Sequence, residues 1–222
     1  MLMRTSGKNR GFTLIEMLMV VAIIIILVSI VVGLAKRISD QSKIRLCRDT
    51  LALIGNSLEQ FRDFGYEYKN TYYAGLDFPV DCNDDSITPG NVLETTLQGE
   101  LGATVTITGG THDPNFSGSE GLYFFLSQIP DCRATIDRID KSLITSRDDA
   151  KNEMKLVINP PSGPSYPLMR FIDPWGTTLH YDYYDETSYP PDPKTKKTFP
   201  VITSAGPDKK FGTNDDISNI QQ

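Results

Sequence analysis

Gly11-Phe12-Thr13-Leu14-Ile15-Glu16 opens directly into MLMVVAIIIILVSIVVGLA, Met17 to Ala35, nineteen residues without a charge. At about 1.5 Å of rise per residue, a helix of that length matches the hydrocarbon core of a bilayer. Ile, Val and Leu are spread all round it, so no single face points to a protein interior. Buried core helices rarely hold an apolar run this long. The stretch therefore reads as a membrane span.

A secretory signal peptide would have a shorter apolar run ending in small residues for cleavage. Here the run ends in Lys36-Arg37, with no such site. Charge does not fix the orientation, because Arg4, Lys8 and Arg10 face Lys36, Arg37, Lys43 and Arg45 across the span. The segment before the run is more informative. A carboxylate at the edge of a membrane helix is costly unless paired, so Glu16 is a candidate functional residue. The other reading is a glutamate snorkelling to the interface.

The hexapeptide from Gly11 to Glu16, with a basic leader before it and an apolar run after it, resembles the signal of type IV pilins and type II secretion pseudopilins. The resemblance implies cleavage between Gly11 and Phe12 by a prepilin peptidase, then N-methylation of Phe12. It also implies that Glu16 pairs with the Phe12 amine of a neighbouring subunit during assembly. Opposite charges in apolar surroundings are tolerated only together, so the pair would set the register between subunits.

After the span the pattern turns amphipathic. Ile44, Cys47, Leu51, Ile54, Leu58 and Phe61 recur at intervals of three and four, with Lys43, Arg45, Arg48, Asp49, Glu59 and Arg62 off the stripe. The stripe is short for a coiled coil, so it predicts a continuing helix packed on the chain's own head, with Gly65 as its stop.

The head predicts an α+β fold: the long N-terminal helix, half transmembrane and half amphipathic, packed on a small antiparallel sheet. The segments expected are a leader (1–11), a transmembrane and assembly helix (12–35), an amphipathic helix (36–65), a variable α/loop insertion (66–170) and a C-terminal sheet with an acidic loop (171–222). Within the insertion, 103–108 is β-prone, Ser119 to Leu126 reads as a helix ended by Pro130, and Pro160 to Pro167 reads as a loop. In the last segment Asp173-Pro174-Trp175-Gly176 is a turn, followed by β-prone residues 177–184 and 199–203. That turn followed by an aromatic strand is similar to the major, G-type pseudopilin. Trp175, the only tryptophan, is expected to be a packing anchor.

Near the C-terminus Ser204, Asp208, Asn214, Asp215 and Asp216 crowd oxygen-bearing side chains into a short glycine-containing loop. Calcium takes six to eight oxygen ligands on a flexible backbone, although the spacing is not that of an EF-hand. The loop resembles the calcium loop of G-type pseudopilins, which implies Asp208 and Asp216 as ligands, Ser204 as a third, and backbone carbonyls completing a structural Ca²⁺ site. Lys209-Lys210-Phe211 departs from the family, which has glycine after the first aspartate. Two lysines here either weaken a cation site or point outward. The plain alternative is a solvated Asp/Asn/Gly turn.

Three cysteines without a C-x-x-C or Cys/His cluster argue against zinc. In an extracytoplasmic head, Cys82 and Cys132 are candidates for a disulfide; otherwise Cys47, Cys82 and Cys132 are unrelated buried thiols. Asp and Glu number 28 against 22 Lys and Arg, and no basic block offers a nucleic-acid surface. No G-x-S-x-G, H-E-x-x-H or Walker loop is present, so the chain is not expected to be an enzyme. The resemblance implies a pseudopilus subunit that drives protein export from the inner membrane, its head extracytoplasmic. Its partners would be other copies, other pseudopilins, the prepilin peptidase and the inner-membrane assembly platform. A minor pseudopilin, a type IV pilin and a tethered binding module remain as alternatives.

Overall fold

A computed structural model of the chain describes residues 14–67, 77–79, 82, 92–184 and 196–220. The chain divides into two units, 1–42 and 43–222.

In the first unit the described residues belong to helix α1, which runs Leu14–Glu67 and so ends in the second unit. The large apolar side chains from Leu14 to Val28 are all exposed, the least so being Val20 at 48 %. Ser29 returns its hydroxyl to the Ile25 carbonyl at 2.8 Å, which lets a polar residue sit on an apolar helix without an unmet hydrogen bond.

In the second unit the amphipathic stripe is the core side of α1. Cys47, Leu51, Ile54, Leu58 and Phe61 are each no more than 1 % exposed. Thr50 and Ser57, also buried, turn their hydroxyls back onto the carbonyls of Leu46 and Leu53. The helix continues through Gly65, which is therefore not its stop.

Three helices from the middle of the chain share one core with this stripe. Val92–Leu101 form α2, Ser117–Gln128 form α3 and Pro130–Ile136 form α4. The Cys132 thiol donates to the Ser57 carbonyl at 3.3 Å, and the Thr135 hydroxyl donates to Gln60 Oε1 at 2.9 Å, so α4 is fastened to α1 by both bonds. Pro130 closes α3 and also starts α4, a first-turn position where its missing N–H costs nothing.

Among the described residues three small antiparallel sheets accompany the helices, so the α+β fold class holds. Val105–Thr108 (β1), Lys155–Ile158 (β3) and Ser165–Pro167 (β4) form the first, in the order β1-β3-β4. Ile144–Thr145 (β2) pairs with Arg170–Phe171 (β5). His180–Tyr184 (β6), Lys196–Ser204 (β7) and Ile217–Ser218 (β8) form the third. The expected C-terminal strand pair is β6 on β7, with His180 opposite Thr203 and Tyr181 opposite Ile202.

The outer edges of the first sheet are guarded. On β1, the Val105 carbonyl accepts from Gln98 Nε2 at 3.0 Å, and the Ile107 N–H donates to Glu94 Oε1 at 2.5 Å. Both partners stand on α2. On the opposite edge β4 ends in Pro167, which has no N–H, and Pro164 precedes it.

The reading of 66–170 as an α/loop insertion is corrected. The segment's described residues supply α2, α3, α4, four strands and the first residue of β5, with Leu93, Leu97, Leu122, Phe125, Leu126 and Leu156 in the core. Helix α2 escaped notice because Thr95, Thr96 and Gly99 are weak helix formers. The stretch read as a proline-rich loop contains β4, held by the pairing of Tyr166 with Leu156. Tertiary pairing there overrides local propensity.

Candidate functional site: the N-terminal segment and the C-terminal acidic loop

Glu16 lies in the first turn of α1 and is exposed. Carboxylates are favoured at that end of a helix, where unsatisfied N–H groups concentrate positive potential. Gly11 and Phe12 lie outside the described residues. Among the described residues no helix is long and apolar enough to cross a membrane; the side chains of 30–37, which complete the charge-free run, are not among them.

The second candidate region is organised by a residue that the sequence offered only as part of a turn. Asp173 is 2 % exposed. Its Oδ1 accepts from the N–H groups of Trp175 at 3.0 Å and Thr177 at 2.8 Å, closing the Asp-Pro-Trp-Gly turn. Gly176 is at φ +88, in the left-handed region that glycine adopts without strain. Oδ2 accepts from Ser204 Oγ at 2.7 Å, at the end of β7. Ser204 Oγ also accepts from the Gly206 N–H at 3.1 Å. The Ser204 hydroxyl is thus taken up beneath the loop, between the turn and the loop's first residues, and does not stand among the loop's carboxylates. An aspartate opening a turn is a recognisable sequence signal; its partnership with Ser204 is not.

The loop beyond is closed by its own carboxylates. The Asp208 N–H donates to Asp215 Oδ2 at 3.0 Å, Thr213 Oγ1 to Asp215 Oδ1 at 2.5 Å, and the Gly212 N–H to Asp216 Oδ2 at 2.7 Å. The Thr213 hydroxyl and the Asp208 N–H hold the Asp215 carboxyl below its usual pKa of 3.8. Asp216 Oδ1 is buried without a hydrogen-bond partner. It borders a groove of about 700 Å³, with Asp182, His180 and Phe211 on its walls. Lys209 and Lys210 are exposed and point outward. Among the described residues no three His, Cys, Asp or Glu side chains are grouped to hold a metal. Of the three residues expected to hold a cation, the Ser204 hydroxyl is taken by Asp173 and Asp216 keeps one unbonded oxygen.

The proposed disulfide is corrected. Cys47, Cys82 and Cys132 are all buried thiols. Cys132 is directed at the Ser57 carbonyl on α1. Cys82 Sγ instead lies against α3, where a Cβ built on Gly121 would come within 2.7 Å of it. Burial pushes the pKa of Cys47 up to about 11, against the lowering effect of its hydrogen bond with Ser204. Burial likewise raises that of Cys132 to about 12.

A further buried charge cluster was not visible in the sequence. Glu120, fully buried on α3, has Oε2 at 2.7 Å from His112 Nε2 and Oε1 at 3.9 Å from Arg170 Nη1. Arg170 is stacked over the Phe116 ring at 3.7 Å, donates to the Arg147 carbonyl at 2.6 Å, and reaches Thr178 Oγ1 at 3.1 Å. The partners of Glu120 arrive from other elements, so nothing near it in the sequence announces them.

Residues 6–32 match the family model of the prokaryotic N-terminal methylation motif. That motif is the type IV pilin-like prepilin signal, which indicates prepilin processing and implies a membrane-anchoring N-terminal helix. The match ends before the head, so it bears on processing and anchoring and not on subunit type. No curated protein and no solved structure gives a significant match to the chain.

Proposed function

We propose that the chain is a structural subunit of a type II secretion pseudopilus, closest to the major, G-type pseudopilin. Prepilin peptidase cuts between Gly11 and Phe12, Phe12 is N-methylated, and the subunit waits in the inner membrane with its head in the periplasm. The observation that carries this reading is the apolar surface from Leu14 to Val28, exposed on every face, with Glu16 in the first turn. Such surface costs about 25 cal/mol per Å² in water. Lipid covers it before assembly, and the helices of neighbouring subunits cover it afterwards. In that apolar bundle Glu16 pairs with the Phe12 amine of the next subunit. Growth on the inner-membrane assembly platform, together with other pseudopilins, then pushes folded substrates outward. The role is mechanical and needs no catalytic residue.

Intact mass and N-terminal sequencing of the protein from its native membrane test this reading. A chain beginning at methylated Phe12 is expected. A chain retaining Met1 to Gly11 in the presence of the peptidase would overturn it and leave a single-pass tether.

A minor pseudopilin or type IV pilin is the second reading. It is favoured by the three helices and four strands among the described residues of 66–170, a large middle region for a compact major subunit. Subunit abundance in isolated filaments separates the two, since a major subunit makes up most of the mass.

We also propose that the C-terminal loop binds structural Ca²⁺ through Asp208, Asp216 and backbone carbonyls. When bound, the ion would neutralise the loop's acidic oxygens and tie the loop to β7 and β8. Calcium is expected to raise the melting temperature of the intact protein and to leave the Asp216→Ala variant unmoved. An equal shift in both would remove the ion from this loop.

A further inference from the structure

The groove of about 700 Å³ that borders the acidic loop has the size of a small-ligand pocket. Three elements build it. The short turn Pro114–Phe116 brings Asn115 and Phe116, with Asp113 capping it; β6 brings His180 and Asp182; the loop brings Phe211 and Asp216. Phe211 is 49 % exposed, and its ring meets that of His180 with centroids 5.7 Å apart. Left-handed residues flank it, Lys209 at φ +61 and Gly212 at φ +82. In a lysine that conformation is strained, and such strain collects at binding sites.

Two properties of the wall select a ligand. The first is charge. The wall carries Asp113, Asp182 and Asp216, and no lysine or arginine stands among its described residues. Arg170, stacked on Phe116, is already answered by Glu120, Asp149, Asp113 and Asp148. Anions, nucleic acid included, are therefore repelled. The second property is a mixture of donors and acceptors. Asp113 Oδ1 accepts from the Asn115 N–H at 3.0 Å and from Asn115 Nδ2 at 2.9 Å, while no hydrogen bond among the described residues engages its Oδ2. The amide oxygen of Asn115, which is exposed, and the hydroxyl of Thr177, which is half-buried, are likewise open to a ligand. A cation uses acceptors only, whereas a sugar hydroxyl both donates and accepts. Phe211 adds an aromatic face, whose negative potential attracts the polarised C–H bonds of a pyranose ring.

We infer that the groove between the Pro114–Phe116 turn, β6 and the acidic loop is a binding site for an uncharged hexopyranose. The sugar lays a C–H face on Phe211, and its hydroxyls exchange hydrogen bonds with Asp113, Asn115 and Thr177. A single sugar and one ring of a glycan chain share this chemistry. The site does not depend on the secretion role or on a loop cation, and its test reads binding alone.

The full chain, labelled with ¹⁵N in micelles of a detergent without a sugar headgroup, is titrated with the methyl glycosides of glucose, galactose, mannose and N-acetylglucosamine. Glucuronate and glucosamine are run beside them as anionic and cationic rings. Saturable shifts at 113–116, 177–182 and 208–216 are expected with at least one neutral glycoside, and none with glucuronate. Phe211→Ala, at an exposed position, should weaken that glycoside about tenfold with the melting temperature unchanged, and Phe211→Tyr should restore it. Asn115→Ala, exposed on a different element, should weaken it as well and keeps the test decisive if the loop variant misfolds. The linked dimers cellobiose and chitobiose distinguish the source. A dimer bound more tightly than its monomer points to a glycan chain, and one bound no more tightly points to a single sugar; either result supports the site. No saturable shift with any neutral glycoside, shifts with glucosamine alone, glucuronate binding as tightly as the neutral ring, or undiminished binding to both alanine variants overturns the inference.

Discussion

Ser204 Oγ donates to Asp173 Oδ2 at 2.7 Å, joining the end of β7 to the Asp-Pro-Trp-Gly turn in a fully buried contact. Asp173 thus receives three hydrogen bonds, two from turn N–H groups and one from Ser204. Removing one partner of a buried polar pair strands the other. Ser204→Ala should cost about 2 kcal/mol, and Asp173→Ala about 3 kcal/mol or more, because it strands three donors. Trp175, inside the turn, is the fluorescence reporter. Urea transitions with unchanged midpoints would refute the anchoring role.

The stripe on α1 predicts a steep difference between two leucines. Leu58 is fully buried and Leu46 is 38 % exposed. Leu58→Ala should destabilise the head by about 2–5 kcal/mol, as for other large-to-small core changes, and Leu46→Ala by less than about 1 kcal/mol. Denaturant midpoints of the two variants decide the matter.

All three cysteines should be found as thiols. Cys47 and Cys132, raised to about 11 and about 12, hold almost no thiolate near pH 8 and are buried besides. Maleimide should add nothing to the native protein and three labels after denaturation without reductant. A single label on the denatured chain would restore a disulfide.

Asp215 gives the acidic loop a defined response to acid. Its pKa is held below 3.8 in the folded loop, chiefly by Thr213 Oγ1 and then by the Asp208 N–H. A depressed folded pKa adds stability in full above the unfolded value and loses it as pH falls through the folded one. Amide protection of 208–216 should therefore be constant from neutral pH to about 4 and fall below that. Thr213→Val should shift the fall to higher pH; an unshifted profile would show that the hydroxyl does not matter.

Glu16→Leu should leave membrane insertion and leader cleavage intact while lowering filament yield at least about tenfold, the equivalent of one lost charge pair at each subunit contact. Filament counts by electron microscopy, set beside the mass of the processed subunit, separate the two effects. Normal filament yield would remove Glu16 from assembly.

What the sequence made legible is what periodicity and local chemistry control. The α1 stripe from Cys47 to Phe61, the β6–β7 pair and the Asp-Pro-Trp-Gly turn each carry their signal within a few residues. The middle of the chain does not. Ser119 on α3 exchanges hydrogen bonds with the backbone of Phe171 on β5, and β4 exists because Tyr166 meets Leu156. Such contacts are stored in pairings between distant segments, and one-dimensional patterns are blind to them. The same holds for the functional regions: Glu16 announces itself by its neighbours, whereas Asp173 and Glu120 acquire their meaning only from partners on other elements.

The guarded edges of the β1-β3-β4 sheet have a consequence for crowding. Heads held side by side meet at very high local concentration, the condition under which open strand edges recruit one another into runaway cross-β aggregates. Glu94 and Gln98 occupy one edge, and Pro164 and Pro167 flank the other. Accretion through this sheet is thereby suppressed, and in the proposed filament ordered growth is left to the apolar helices.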